Sequence, residues 1–207
     1  MKILMTGGTG FVGTSLSKRL ISEGHSVTVL THENKEPALK MQGLSYLHGN
    51  PTVQGEWQKA VPEHDVIINL AGASIFSRWT EEQKQILRSS RILTTRNLVD
   101  ALPKDAKHIT LFSTSAVGYY GFHQDEELTE SSPVGNDFLA RLAYDWESEA
   151  LNAQKKGARV VMTRFGIVLG KDGGALGQMI PLFKFFLGGP LGSGRQWFSW
   201  VHMRDLV

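Results

Sequence analysis

The chain has no cysteine among its 207 residues, which excludes disulfide bridges, thiolate metal sites and cysteine nucleophiles. It also lacks an excess of one charge, because 22 Lys and Arg residues face 20 Asp and Glu residues. No basic run of the kind found in nucleic-acid binders is present, so we expect no nucleic-acid partner. No apolar stretch approaches the roughly 18 residues of a membrane helix, so we expect no membrane partner. The composition therefore predicts a globular protein of the cytoplasm.

Two further kinds of site are missing from the sequence. The seven histidines are scattered without metal-ligand spacing, and we therefore expect no bound metal. No serine lies in a Gly-x-Ser-x-Gly elbow, which argues against an acyl hydrolase. Glycine, with 22 residues, is the one residue type in clear excess, and its placement carries information.

Short unbroken apolar runs alternate with segments of helical periodicity along the chain. Unbroken runs are typical of parallel strands covered on both faces, and the alternation predicts right-handed crossovers between them. We therefore predict an α/β fold with a doubly wound parallel sheet. The predicted strands are Lys2–Met5, Val27–Leu30, Leu44–Leu47, Val66–Leu70, Ile109–Phe112 and Val160–Thr163. The predicted helices keep apolar faces that include Val12, Leu16 and Leu20; Ile86, Leu93 and Leu98; and Leu139, Leu142, Trp146 and Ala153.

The composition changes after the last predicted strand, where glycines, prolines and aromatic residues are interspersed. This pattern predicts loops and short elements that cap the carboxyl edge of the sheet, where such folds bind ligands. We therefore divide the chain into a dinucleotide-binding domain, residues 1–165, and a partial substrate-binding lid, residues 166–207.

A glycine loop follows the first predicted strand directly and opens the first predicted helix. Gly7 would allow the tight turn, Gly10 would let the backbone approach a pyrophosphate, and Gly13 would let helix and strand pack closely. The helix amino end then offers N–H groups and partial positive charge to phosphates. The fold is thus Rossmann-type, and the predicted cofactor contacts are Gly7, Thr9, Gly10, Phe11, Val12 and Gly13.

The end of the second predicted strand bears on which dinucleotide is bound. NAD enzymes place Asp or Glu there to bind the ribose 2′-hydroxyl, whereas this strand ends Leu30-Thr31-His32. Threonine tolerates a 2′-phosphate, which His32 or Lys35 could neutralise. Glu33 could turn inward and reverse the argument. We predict NADP, with NAD as the alternative, and count Thr31 and His32 among the cofactor contacts.

Several motifs, in this order, resemble the extended short-chain dehydrogenase/reductases, the NAD-dependent epimerase/dehydratase family. They are TGGTGFVG at 6–13, NLAG at 69–72, FSTSAV at 112–117, RFGIVLG at 164–170 and SWVHMRDL at 199–206. The stretches AVGYYG at 116–121 and GGAL at 173–176 are similar to an atypical subgroup named only "epimerase family protein". Relatives of this kind are longer, so the resemblance implies that the lid is incomplete at its carboxyl end.

The resemblance implies a Ser-Tyr-Lys site in which the tyrosine moves the substrate proton. Ser115 matches the family serine by its place after the fifth strand. The Tyr-x-x-x-Lys motif, however, is replaced by Phe138 and Leu142, and a phenyl ring carries no proton. Tyr119 and Tyr120 follow Ser115 closely and are the candidate substitutes, although both could simply pack beneath the lid.

The resemblance also implies cofactor contacts away from the glycine loop. Asn50 follows the third strand where relatives often hold an Asp that contacts adenine. Small residues suit the cofactor path at the end of the fourth strand. Arg91 is left open between a surface charge and a residue of the cleft. The additional predicted contacts are Asn50, Leu70, Ala71, Gly72 and Arg164.

Two functions remain open from the sequence. The first is an NADP-dependent oxidoreductase or epimerase acting on a carbonyl, sugar or nucleotide-sugar substrate, with Ser115 and a tyrosine of the 119–120 pair at the reacting carbon. The second is a non-catalytic NAD(P)-binding sensor or interaction protein, which the replacements at Phe138 and Leu142 favour. A small molecule is the expected partner, and a homodimer is left open.

Overall fold

Six parallel strands form the central sheet, in the order β3-β2-β1-β4-β5-β6. This computed structural model describes residues 1–32, 39–171, 173–190 and 192–207. Each of the six predicted apolar runs overlaps one of these strands, which confirms the predicted α/β doubly wound fold. The strands are β1 (Lys2–Thr6), β2 (Ser26–Thr31), β3 (Leu44–His48), β4 (Val66–Asn69), β5 (Thr110–Ala116) and β6 (Arg159–Phe165).

Helices cover the two faces of the sheet and divide the core in two. Helix α1 (Phe11–Ser22) packs Leu16 and Leu20 against one face of β1 and β2. On the other face lie α2 (Glu81–Ala101), which buries Leu98, and α3 (Phe138–Leu151), which buries Ala150. The 3₁₀ helix Glu56–Glu63 adds Trp57 to this second core. Burial of these apolar stripes, rather than helix propensity, stabilises the arrangement.

Side-chain caps fix the amino ends of the two helices that frame the site. Thr80 Oγ1 accepts a hydrogen bond of 3.3 Å from the Gln83 amide at the start of α2. This bond is one half of a capping box. Asp137 Oδ1 accepts a bond of 3.0 Å from the Ala140 amide and so sets where α3 begins.

Most strand ends differ from the predicted ones by one or two residues, and two boundaries near the site differ in ways that matter for it. Strand β5 continues to Ala116, four residues beyond the predicted end at Phe112, because Ser113, Thr114 and Ser115 pair in register with β6. Ser115 therefore lies inside the strand, and its predicted place after the strand was wrong. Helix α3 ends at Leu151, and its predicted continuation through Ala153 is instead the 3₁₀ helix Asn152–Lys156.

The described residues after β6 include a second, two-stranded parallel sheet and two short helices. Its strands are β7 (Ile167–Gly170) and β8 (Trp200–His202), and its helices are α4 (Gly174–Lys184) and α5 (Met203–Leu206). Phe11, the first residue of α1, packs its ring against this sheet, since a Cβ added at Gly170, Gly173 or Gly174 would lie within 2.8 Å of that ring. No helix within the described residues is long and apolar enough to cross a membrane.

Candidate functional site

The glycine loop connects β1 to α1 and contacts the loop that follows β4. Gly7 has a left-handed φ of +69°, and a Cβ there would lie 2.8 Å from the carbonyl carbon of Leu70. A Cβ at Gly13 would lie 2.3 Å from the carbonyl oxygen of Gly7, so the first turn of the helix rests on the loop. Gly7 and Gly13 thus have the geometry that the motif predicts.

The amino end of α1 is open and carries no negative charge. Gly10 is the N-cap, no side chain caps the helix, and its first turn contains no acidic residue. The first-turn amides of Phe11, Val12 and Gly13 therefore have no intrahelical acceptor. A Cβ at Gly10 would meet only the Gly7 carbonyl oxygen, at 3.2 Å, and Thr9 and Gly10 are exposed. This arrangement fits a phosphate group.

A cleft of about 670 Å³ opens beside this helix end. Its volume lies within the range of small-molecule sites. Lys18, Lys171 and Arg204 line it together with Thr9 and Gly10, so its walls carry positive charge. Among the described residues, no group of three or more His, Cys, Asp or Glu side chains is placed to hold a metal ion.

The residues predicted to choose between NADP and NAD lie one strand away from the glycine loop. Thr31 is buried at the end of β2, and His32 after it is exposed. Glu33 and Lys35, which also entered the prediction, lie outside the described residues. Asn50 is exposed beyond β3, where its Oδ1 accepts bonds from both the amide and the hydroxyl of Thr52.

A buried amide network holds the ends of β1 and β4 together. Asn69 Oδ1 accepts a bond of 2.7 Å from the Thr6 hydroxyl, and Asn69 Nδ2 donates to Thr95 Oγ1 at 2.8 Å. Trp146 Nε1 of α3 donates to the same Thr95 hydroxyl at 2.8 Å. The network positions Leu70, Ala71 and Gly72, the predicted cofactor path. It was not predicted, although the polar residues at the ends of two apolar strands were visible in the sequence.

A second polar network joins most of the candidate catalytic residues at the carboxyl edge of β5 and β6. Ser115, which is 2% exposed, donates to Glu147 Oε1 of α3 at 2.6 Å. Arg164 of β6 donates two bonds of 2.8 Å to the same carboxylate, through Nε and Nη2. Its Nη1 donates to Tyr120 Oη at 2.8 Å, and its guanidinium lies 3.6 Å from the centre of the Tyr119 ring.

The carboxylate of Glu147 organises this network electrostatically. Its hydrogen bonds raise the pKa of Arg164, burial acts in the opposite direction, and the hydroxyl of Tyr120 adds a smaller upward effect. Glu147 is only 7% exposed and was missed from the sequence. The signal was available, because this residue lies four after Ala143 and three before Ala150 on the apolar face of α3.

The positions that hold the family's tyrosine and lysine have other roles in this chain. The Phe138 ring packs edge-on against Trp79, with the ring centres 5.9 Å apart, and Lys84 Nζ lies 5.6 Å from its centre. Leu142 is 3% exposed and belongs to the apolar core. Neither residue supplies a titratable group to the site.

The strand order, the crossover helices and the open glycine loop together define a nucleotide-binding fold of the Rossmann class. Within that class, the family model described as "NAD dependent epimerase/dehydratase family" matches residues 3–207, and the chain belongs to this family. The resemblance seen in the sequence motifs is thereby confirmed.

Individual relatives share both sequence and structure with the chain. It is 43% identical over 215 residues to an Arabidopsis thaliana protein named "Epimerase family protein SDR39U1 homolog, chloroplastic", covering 100% of the chain and 60% of the relative. Identity to the Bacillus subtilis epimerase family protein YfhF is 43% over 208 residues, covering 99% and 67%. The crystal structure of human epimerase family protein SDR39U1 with NADPH is 33% identical, with a TM-score of 0.79, covering 100% of the chain and 67% of the human one. The chain thus spans about three-fifths to two-thirds of these relatives.

Proposed function

We propose that this chain carries the cofactor site and part of the substrate site of an NADP-dependent oxidoreductase or epimerase. The substrate would be a carbonyl compound, a sugar or a nucleotide sugar. The observation that carries the proposal is the chain of hydrogen bonds through Ser115, Glu147, Arg164 and Tyr120 at the carboxyl edge of the sheet. Two relatives add support: the human protein solved with NADPH, and a Corynebacterium glutamicum nucleoside-diphosphate sugar epimerase that is 35% identical.

The glycine loop and the β4 exit would hold the cofactor. The amides of Phe11, Val12 and Gly13 face an anion without competition from an acidic residue or a side-chain cap. Position 31 at the end of β2 holds threonine, and this supports NADP over NAD because a carboxylate at that position would repel a 2′-phosphate. When bound, the nicotinamide supplies a site that accepts or donates hydride.

Tyr120 is the better of the two candidate proton carriers. Its Oη accepts a hydrogen bond from the Arg164 guanidinium, so the position of the hydroxyl is fixed and its own proton points away from that cation. The same guanidinium stacks on the ring of Tyr119 and not on its hydroxyl. We therefore assign Tyr119 a packing role. In this proposal Tyr120 holds the substrate proton at Oη, and Arg164 supplies the positive charge that the family's lysine supplies elsewhere.

Ser115 would orient the substrate oxygen. In the structure its hydroxyl donates to Glu147, so it has to turn away from that carboxylate to polarise a substrate. Such a turn costs one short hydrogen bond to a charged acceptor, which the substrate oxygen would replace.

The test of this proposal is a fluorescence titration with NADPH and NADH, followed by turnover over a panel of carbonyl compounds and nucleotide sugars. We expect saturable binding, tighter for NADPH, and at least a hundredfold loss of turnover in Tyr120→Phe. Tyr119→Phe, the matched control, should keep turnover within a few-fold. Equal losses in both variants would refute the assignment of Tyr120, and absence of binding would refute the function.

A non-catalytic dinucleotide-binding role is the second candidate function. It is favoured by the apolar positions of Phe138 and Leu142, which leave α3 without the family's proton carrier. Tight NADPH binding with complete inertness over the substrate panel would support this role instead. The cytoplasmic location, the homodimer and the division at residue 165 stay predictions.

A further inference from the structure

Arg91 of α2 is directed inward, toward the loop that follows β4. Its Nη2 donates to the carbonyl oxygen of Ala73 at 3.1 Å, and its Nη1 donates to that of Leu87 at 3.2 Å. A Cβ at Gly72 would lie 2.9 Å from the central carbon of the guanidinium. Glycine at position 72 therefore lets this cation lie directly against the backbone of the loop.

The other arginines of the same helix each have an acidic partner on α3. Arg88 pairs with Asp145 at 2.7 Å, and Arg96 pairs with Glu149. Arg91 is partly buried and packs over the ring of Trp146, yet it has no acidic partner among the described residues. Burial lowers the pKa of its guanidinium. A cation taken from water without a counter-charge is costly, so it is suited to receive an anion.

The two loops that line the predicted cofactor path supply no positive side chain. Residues 5–13 and 69–73 contain no charged residue. The helix amino end offers only about half a positive charge, whereas a pyrophosphate brings two negative charges. Leu70 begins the loop that lies beside Arg91. Because its carbonyl would touch a Cβ at Gly7, this loop is in contact with the glycine loop. Lys18, Lys171 and Arg204 line the cleft beside the helix end, and Arg91 is the cation beside the loop that follows β4.

We infer that Arg91 is an anion-binding residue at the β4 side of the predicted cofactor path, and that its guanidinium contacts the nicotinamide-side phosphate of the bound dinucleotide. This inference rests on the proposed function, because it requires that a dinucleotide binds. It assigns Gly72 a second role, which is to leave room for the guanidinium.

The test compares NADP⁺ with 2′,5′-ADP, which lacks the nicotinamide-side phosphate, by calorimetric titration of the full chain. Arg91→Gln should weaken the binding of NADP⁺ at least about tenfold, which is the effect of losing a hydrogen bond to a charged group. The same variant should weaken the binding of 2′,5′-ADP less than twofold. Arg91→Lys should recover part of the affinity, and Arg88→Gln, the matched control, should bind both ligands within twofold of wild type.

A second variant and a melting curve separate ligand binding from loop support. Gly72→Ala should weaken NADP⁺ as Arg91→Gln does, because its methyl group displaces the guanidinium without removing it. Equal weakening of both ligands with a lowered Tm would show a structural role and overturn the inference. Unchanged NADP⁺ affinity in Arg91→Gln would overturn the inference about Arg91 and leave the proposed function standing. A wild-type chain that binds no dinucleotide would overturn both.

Discussion

Replacement of Glu147 by glutamine should lower the free energy of unfolding by about 2–3 kcal/mol. The carboxylate accepts one hydrogen bond from Ser115 and two from Arg164, and its side chain is 9% exposed. Breaking a fully buried ion pair costs about 3–5 kcal/mol, because the remaining charge stays buried. The Arg164 side chain is 18% exposed and keeps its bonds to Tyr120 Oη and the Glu130 carbonyl, which places the cost below that range.

Thermal unfolding can measure this loss. For a chain of this size, 1 kcal/mol corresponds to about 2–4 °C, so Glu147→Gln should lower Tm by about 4–12 °C. Glu149→Gln is the matched control on the same helix. Its partner Arg96 is 50% exposed, and a surface pair contributes about 0–1 kcal/mol. The control should therefore move Tm by no more than about 4 °C.

A double-mutant cycle with Arg164→Met decides whether the pair itself is responsible. The two losses should be non-additive by at least about 1 kcal/mol, because the double variant leaves no unpaired charge. Strict additivity, or a Glu147→Gln variant as stable as the control, would refute the reasoning.

Three further predictions concern the loop, the cofactor and pH. Gly13→Ala should lower Tm and abolish NADPH binding, because the new Cβ would lie 2.3 Å from a carbonyl oxygen. Gly10→Ala should leave Tm unchanged and weaken only the binding of NADPH. Equal losses of Tm in the two variants would contradict this prediction. Thr31→Asp should shift the binding preference from NADPH toward NADH, and an unchanged ratio of dissociation constants would count against the role of this strand end. The hydrogen bond between His123 and Glu126 raises the pKa of the imidazole above 6.5 and lowers that of the carboxyl below 4.5. The histidine's stabilising contribution is therefore complete below pH 6.5 and is lost as pH rises through the raised pKa. The contribution of the glutamate is present above pH 4.5 and is lost as pH falls through its lowered pKa. An NMR titration of His123 should show a lower midpoint in Glu126→Gln, and an unmoved midpoint would disprove the link.

The sheet could be predicted because buried parallel strands need continuous apolar runs, and each such run marked a strand. The exception is the end of β5, where Ser113, Thr114 and Ser115 carry no apolar signal. These residues are held in the strand by pairing with β6, which is a contact between distant parts of the chain. Local pattern therefore found the interior of each strand and missed an end decided by its neighbour.

Residue spacing predicted the candidate site where backbone geometry dictates the residue, and the family resemblance pointed to Ser115 and Tyr120. Gly7 and Gly13 are required by a turn and by a close approach, so spacing alone revealed them. Glu147 and Arg91 depend on which helix faces meet across α2 and α3, and spacing along one helix does not specify the partner. Their common signal was a charged residue beside apolar helix positions, which is informative because burying an unpaired charge is costly.

The ring of Phe11 links the glycine loop to the second sheet through contacts with three glycines. Separation of the two parts would expose this ring to water, at a cost of up to about 1.5–3 kcal/mol. The size of the residue at position 11 therefore bears on how firmly the glycine loop is held against the second sheet.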